Sequence, residues 1–275
     1  MNDEAAPVRR ATAHQGSSAS RSSLWLTVLV VGLGLFEVTR RAALATDNPR
    51  LLPAMVLFGA LVVPASFLCF VWGQHIRHDV TAMTALSVAT VGGCLSVATA
   101  AVLENAALRG DTFGARGELP LVAVGVLEEG AKLTVTVVVL LIVVPRTAVN
   151  GLLVGIATGT GFAVLETLGY AFADYTQSGG GMVMMETDLL FRSVVTPATH
   201  VAWAGLTGCA LGYAASRWRR LVPTLLCLGT FGLVVVLHTL WDSPGGTTAY
   251  VLLTALGLAL LGAVVRILRR HPPSR

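Results

Sequence analysis

From Leu24 to about residue 268 the chain repeats one pattern: an apolar run long enough to cross a bilayer, then a short polar break. A helix needs about 20 apolar residues to span the hydrocarbon core. The runs fall at about 24–39, 51–73, 81–103, 121–144, 147–174, 189–215, 221–241 and 247–268. None alternates apolar and polar residues strictly, and each is far longer than the roughly ten residues of a barrel strand. The pattern predicts an all-α, polytopic transmembrane helix bundle of about eight spans. Only 12% of the residues are charged, where a soluble chain carries about 25%. That excludes an ordinary cytosolic enzyme, a disordered protein and a nucleic-acid-binding domain.

The polar, basic stretch 1–23 reads as a disordered cytoplasmic tail, 24–270 as one transmembrane domain and 271–275 as a short cytoplasmic tail. Ala43-Leu44-Ala45 resembles a signal-peptidase site. Glu37, Arg40 and Arg41 precede it and disfavour cleavage, so the first span is expected to be retained. Arg placement puts both termini in the cytoplasm, because Arg146, Arg217, Arg219, Arg220, Arg266, Arg269 and Arg270 all fall in segments that would be inside. The expected location is the cell membrane, as a multi-pass protein in contact with lipid. Cys69, Cys94, Cys209 and Cys227 lie in apolar runs without a CxxC pair and read as small apolar residues. Gly151, Gly155 and Gly159 form a small-xxx-small stripe that places the fifth run in the centre of the bundle.

A charge in the bilayer centre costs at least about 2.5–3.5 kcal/mol, so ionisable residues within apolar runs are candidates for function. Four consecutive runs carry them. The fourth holds Glu128, Glu129 and the only lysine, Lys132. Glu128 and Lys132 are i,i+4 and predict an ion pair, with Glu129 rotated toward other partners. The fifth holds Phe162 and Glu166 on one face. The sixth holds Arg192 and His200, eight apart on one continuous helix. Arg192 either snorkels to the interface or answers Glu166. The seventh ends with His238 and Asp242, again i,i+4. Glu37 and Glu104, at span ends, read as interfacial. With the expected topology the motif residues all fall in the outer half of the membrane, which one polar cavity explains better than separate salt bridges.

In order, Glu128-Glu129-x-x-Lys132, Phe162-x-x-x-Glu166, Arg192 followed by His200, and His238-x-x-x-Asp242 resemble the motifs of the PrsW family of intramembrane proteases. The resemblance covers about residues 120–245. The wider relation is to the CAAX prenyl endopeptidase and bacteriocin-processing superfamily, whose pattern is EExxxR, FxxxH and HxxxN/D. The shorter spacing to Lys132 and the glutamate at 166 favour the PrsW branch. Thr167 departs from that branch, which often has Asn there. The resemblance implies an endopeptidase that cuts a membrane-protein substrate near the extracytoplasmic face, with a single-span anti-sigma-factor-like regulator as the substrate class. It implies a catalytic set of Glu128, Glu129, Lys132, Glu166, His200, His238 and Asp242, supported by Phe162 and Arg192. In this reading Glu128 or Glu129 activates a water, Glu166 and His200 position it, and His238, oriented by Asp242, stabilises the oxyanion. A cofactor is not favoured. Were Zn²⁺ used, Glu129, Glu166, His200 and His238 would supply its ligands. The competing class is a proton- or ion-coupled transporter that uses the same carboxylates. No repeat between halves supports it.

Overall fold

The computed structural model describes residues 18–74, 76–110, 119–179, 181–217 and 219–270. The expected cytoplasmic tails, over 1–17 and 271–275, lie outside the described residues. The described residues contain ten α-helices and no strand: α1 (Ser18–Thr46), α2 (Leu52–Trp72), α3 (Ala82–Ser87), α4 (Gly93–Arg109), α5 (Leu121–Ile142), α6 (Ala148–Gln177), α7 (Met182–Val195), α8 (His200–Ser216), α9 (Leu221–Asp242) and α10 (Thr247–Arg270). α3 and α4 are joined through a π-helical turn, Val88–Gly92. Helix α1 begins at Ser18, inside the expected tail.

Six helical segments are long and apolar enough to cross a membrane: those built on α1, α2, α3–α4, α6, α9 and α10. Two of the eight expected spans are absent from that set for physical reasons. Helix α5 carries Glu128, Glu129 and Lys132 in its centre. The stretch expected as one span at 189–215 is broken into α7, a 3-10 turn at Thr196–Ala198, and α8. Pro197 cannot donate to a continuing helix, and Thr199, at φ −108° and ψ −102°, leaves helical geometry altogether. Helix α8 restarts on His200.

Helix α6 is the axis of the bundle. Its apolar window is 83% buried, against 6% for α1 and 11% for α10, which form the rim. The glycine stripe is the cause. A Cβ on Gly151 would collide with the Gly208 carbonyl oxygen, and one on Gly155 with that of Ala204. A Cβ on Gly159 would lie 2.6 Å from the His200 carbonyl oxygen. Ala204, Gly208 and Gly212 repeat the four-residue spacing on α8, so two small-residue faces meet backbone to backbone. Gly161 makes the same kind of approach on another side of α6, where a Cβ would collide with the Ala89 carbonyl of the π turn.

At the N-terminal end of α6, Asn150 is fully buried and clips the loop before α3. Its side-chain oxygen accepts from Asp79 N at 2.9 Å, and its nitrogen donates to Asp79 Oδ2 and Pro145 O, each at 2.9 Å. That end is thereby held shut. The motif residues lie farther along α6, at Phe162 and Glu166.

Candidate active site

Four helices converge on the charged residues. Helix α5 brings Glu128, Glu129 and Lys132, α6 brings Phe162 and Glu166, α8 brings His200 at its first position, and α9 brings His238 and Asp242. The close α6–α8 crossing at Gly159 and His200 seats the imidazole beside Phe162, with ring centroids 5.7 Å apart. All seven residues expected to be catalytic enter one connected network.

Lys132 is at the centre and is buried. Its Nζ donates to Glu129 Oε1 at 2.7 Å and to His200 Nδ1 at 3.0 Å, and lies over the Phe162 ring at 3.8 Å from its centroid. Glu128 is more distant, at 3.5 Å. The expected i,i+4 ion pair with Glu128 is present, and Glu129 at i−3 is a second and tighter partner of Lys132. The reason lies in the neighbours. Lys132 points into the bundle toward His200 and Phe162, the side to which Glu129 also points.

Since an ammonium only donates, His200 Nδ1 is the acceptor and its proton resides on Nε2. That nitrogen lies 3.1 Å from Glu166 Oε2. Glu166 Oε2 also meets Arg192 Nη2 at 3.0 Å. Arg192 thus answers Glu166, not the interface, although the helix break removes the continuous face on which Arg192 and His200 were expected. The Arg192 guanidinium lies over the Tyr170 ring at 3.8 Å.

Glu129 also accepts from His238 Nδ1, at 2.9 Å. This leaves His238 Nε2 facing two more carboxylates, Asp242 Oδ2 at 3.3 Å and Glu128 Oε2 at 3.5 Å. Asp242 contacts His238 as expected, but on Nε2, while Glu129 holds the other nitrogen more tightly. The two adjacent glutamates have different surroundings. The Glu129 side chain is 0% exposed and bonded to Lys132 and His238, whereas Glu128 is 12% exposed and has no partner closer than 3.5 Å.

Glu128, His200 and His238 each offer a ligand atom, and these atoms all lie within 4.8 Å of one another. Two imidazoles and a carboxylate suit Zn²⁺. Glu129 on His238 Nδ1 matches the way a carboxylate orients a metal-binding imidazole. In donor type the set fits a divalent ion. It shares His200 and His238 with the expected ligands and has Glu128 where Glu129 and Glu166 were expected, and both His200 nitrogens already face Lys132 and Glu166.

Two neighbours escaped the sequence reading. Trp203 is fully buried beside both imidazoles, 5.8 Å from His200 and 5.7 Å from His238 between ring centroids. Tyr170 is the platform under Arg192. Helical spacing could have flagged both: Trp203 is i+3 from His200 and Tyr170 is i+4 from Glu166. Glu37 pairs with Arg40 at 2.8 Å and Arg41 at 2.6 Å, away from this network.

An all-helical bundle with membrane-crossing helices, closed around buried carboxylates, imidazoles and one ammonium, defines an integral membrane protein with a polar site in its interior. The family model of the PrsW family intramembrane metalloproteases matches residues 80–268, which include every helix that contributes to the network. The chain belongs to that family and is a membrane-embedded protease. No curated protein and no solved structure matches it significantly.

Proposed function

We propose that this chain hydrolyses a peptide bond of a membrane-protein substrate, a single-span regulator of the anti-sigma-factor kind, near the extracytoplasmic face of the cell membrane, with a water activated by Glu128. The observation that carries this reading is the inequality of the two glutamates. Glu129 receives both Lys132 and His238 on Oε1, and its Oε2 is buried without a partner. Glu128 lies beside the same cation and imidazole at 3.5 Å and keeps 12% of its side chain accessible. A base needs a free lone pair, access for water and a means of stabilising its charge. Both glutamates keep a free lone pair, and of the two Glu128 is the one that also keeps accessible surface.

In the proposed sequence Glu128 takes a proton from water as the oxygen attacks the scissile carbonyl. His238, held by Glu129 and Asp242, donates to the oxyanion from Nε2. Glu128 then returns the proton to the departing amine. Lys132 holds Glu129 and His200 in place, and the Glu166–Arg192 pair fixes the opposite side of that imidazole.

A second reading rests on the trio Glu128, His200 and His238 and on the family's description as metalloproteases. Those three residues would hold a divalent ion, which when bound would supply Lewis-acid activation of water. The Lys132 ammonium, already placed among Glu129, Glu128 and His200, favours the reading in which the resident cation is the lysine.

Purified protein in liposomes with a single-span candidate substrate tests the proposal. Glu128→Gln should lower cleavage by roughly 10²-fold or more. Wild-type cleavage by Glu128→Gln would overturn the assignment.

A further inference from the structure

Between the C-terminal part of α6 and helix α7 lies a cavity of about 500 Å³, open to the surface and lined by Tyr170, Asp174, Met184, Asp188, Phe191 and Arg192 among others. It adjoins the site directly, because Arg192 forms part of its wall and meets Glu166 at 3.0 Å, and Glu166 meets His200. The network described above makes no use of Asp174, Asp188, Met184 or Phe191.

The charges in this cavity do not balance. Arg192 is neutralised by Glu166 and stacked on Tyr170. Asp174 and Asp188 line this one cavity together with Arg192, and no ion pair to either carboxylate is present among the described residues. Asp188 Oδ2 is buried with no hydrogen-bond partner, and so is Arg192 Nε. Glu186, on the same helix, is answered by Arg40 at 3.4 Å and does not contribute. Two adjacent carboxylates are relieved by a shared cation. The remaining walls are a thioether, two aromatic rings and Thr187, whose hydroxyl donates to Val183 O, and the apolar part suits the methylene stem of a long side chain. The volume lies within the range of ligand pockets, about 300–1,000 Å³.

We propose that this cavity is the substrate subsite that takes a basic side chain, Lys or Arg, flanking the scissile bond. The cationic head rests between Asp174 and Asp188, the stem lies along Met184 and Phe191, and Arg192 Nε donates to a carbonyl of the substrate backbone. The inference rests on the proteolytic reading of the adjoining network. It adds specificity to that reading: a membrane segment with a basic residue next to the cut is preferred over a neutral one.

The test uses two synthetic single-span peptides that differ only by Lys or Gln at the position flanking the cut, presented in liposomes to the full chain. Wild type should favour the Lys peptide by roughly tenfold in kcat/KM, the effect expected of a charge-assisted contact. Asp188→Asn and Asp174→Asn should each bring that ratio toward 1, and Asp188→Lys should favour a Glu peptide instead. The ratio is taken within each variant, so a partly folded preparation lowers both rates and leaves it intact. Binding of the same peptides to Glu128→Gln is measured in parallel. Equal cleavage of the Lys and Gln peptides by wild type, or a preference that survives both Asn variants, overturns the subsite. A Lys preference in binding without cleavage by wild type overturns the proteolytic reading and leaves the cavity as a binding site for basic chains.

Discussion

Glu129 Oε1 stands 2.9 Å from His238 Nδ1, joining α5 to α9 across 109 residues of sequence. The same oxygen accepts from Lys132 at 2.7 Å. One carboxylate thus holds an imidazole and an ammonium together where all three groups are buried, and its neighbour Glu128 is left partly accessible. This division makes the two glutamates separable by experiment.

Glu129→Gln should cost about 3–5 kcal/mol, because the buried Lys132 ammonium loses its main counter-charge. Glu128→Gln should leave the unfolding midpoint in detergent close to wild type while cleavage is lost. The double variant Glu129→Gln/Lys132→Met should be more stable than Glu129→Gln alone. Thermal unfolding beside a cleavage assay reads all three, and equal destabilisation by the two single Gln variants would contradict the geometry.

Cleavage should persist when a strong chelator is present, since the lysine supplies the positive charge among the acids and imidazoles. Loss of cleavage that Zn²⁺ restores would transfer water activation to an ion held by Glu128, His200 and His238. Metal content of the purified protein and of His200→Ala and His238→Ala gives an independent measurement.

Arg192 and Glu166 should behave as a coupled pair. Arg192→Met or Glu166→Gln alone leaves a largely buried charge without its partner. The double variant should recover part of the loss, with an interaction energy of about 0.5–3 kcal/mol. Additive losses in a double-mutant cycle would show that the 3.0 Å contact does not act as a unit.

Substitutions of glycine should divide by position. Gly155→Ala and Gly208→Ala insert a Cβ into backbone of the facing helix and should destabilise strongly, moving His200 away from Glu166. Gly229→Ala and Gly232→Ala on α9 meet nothing within 4 Å and should be tolerated or mildly stabilising, since alanine favours helix by about 0.8–1.0 kcal/mol. Unfolding midpoints of the four variants decide this.

The sequence by itself determined the class and most of the chemistry. Apolar runs of bilayer length leave the backbone no option but helices, and Glu128, Glu129, Lys132, Glu166, Arg192, His200 and His238 are conspicuous because charge is costly where they stand. The stripe Gly151, Gly155 and Gly159 likewise marked α6 as the central helix. Partner choice was not legible. Positions i+3 and i+4 lie on the same helical face, so spacing alone admits Glu128 or Glu129 as the partner of Lys132. His200 and His238, supplied by distant helices, make the selection. Spacing also suggested a continuous helix through Arg192 and His200. The break at Thr196–Thr199 ends that helix, and Arg192 and His200 meet on Glu166 because α6 lies between them. Burial requires that each charge find a counter-charge, and local spacing limits the choice. Only the packing of α5, α6, α8 and α9 fixes which one it finds.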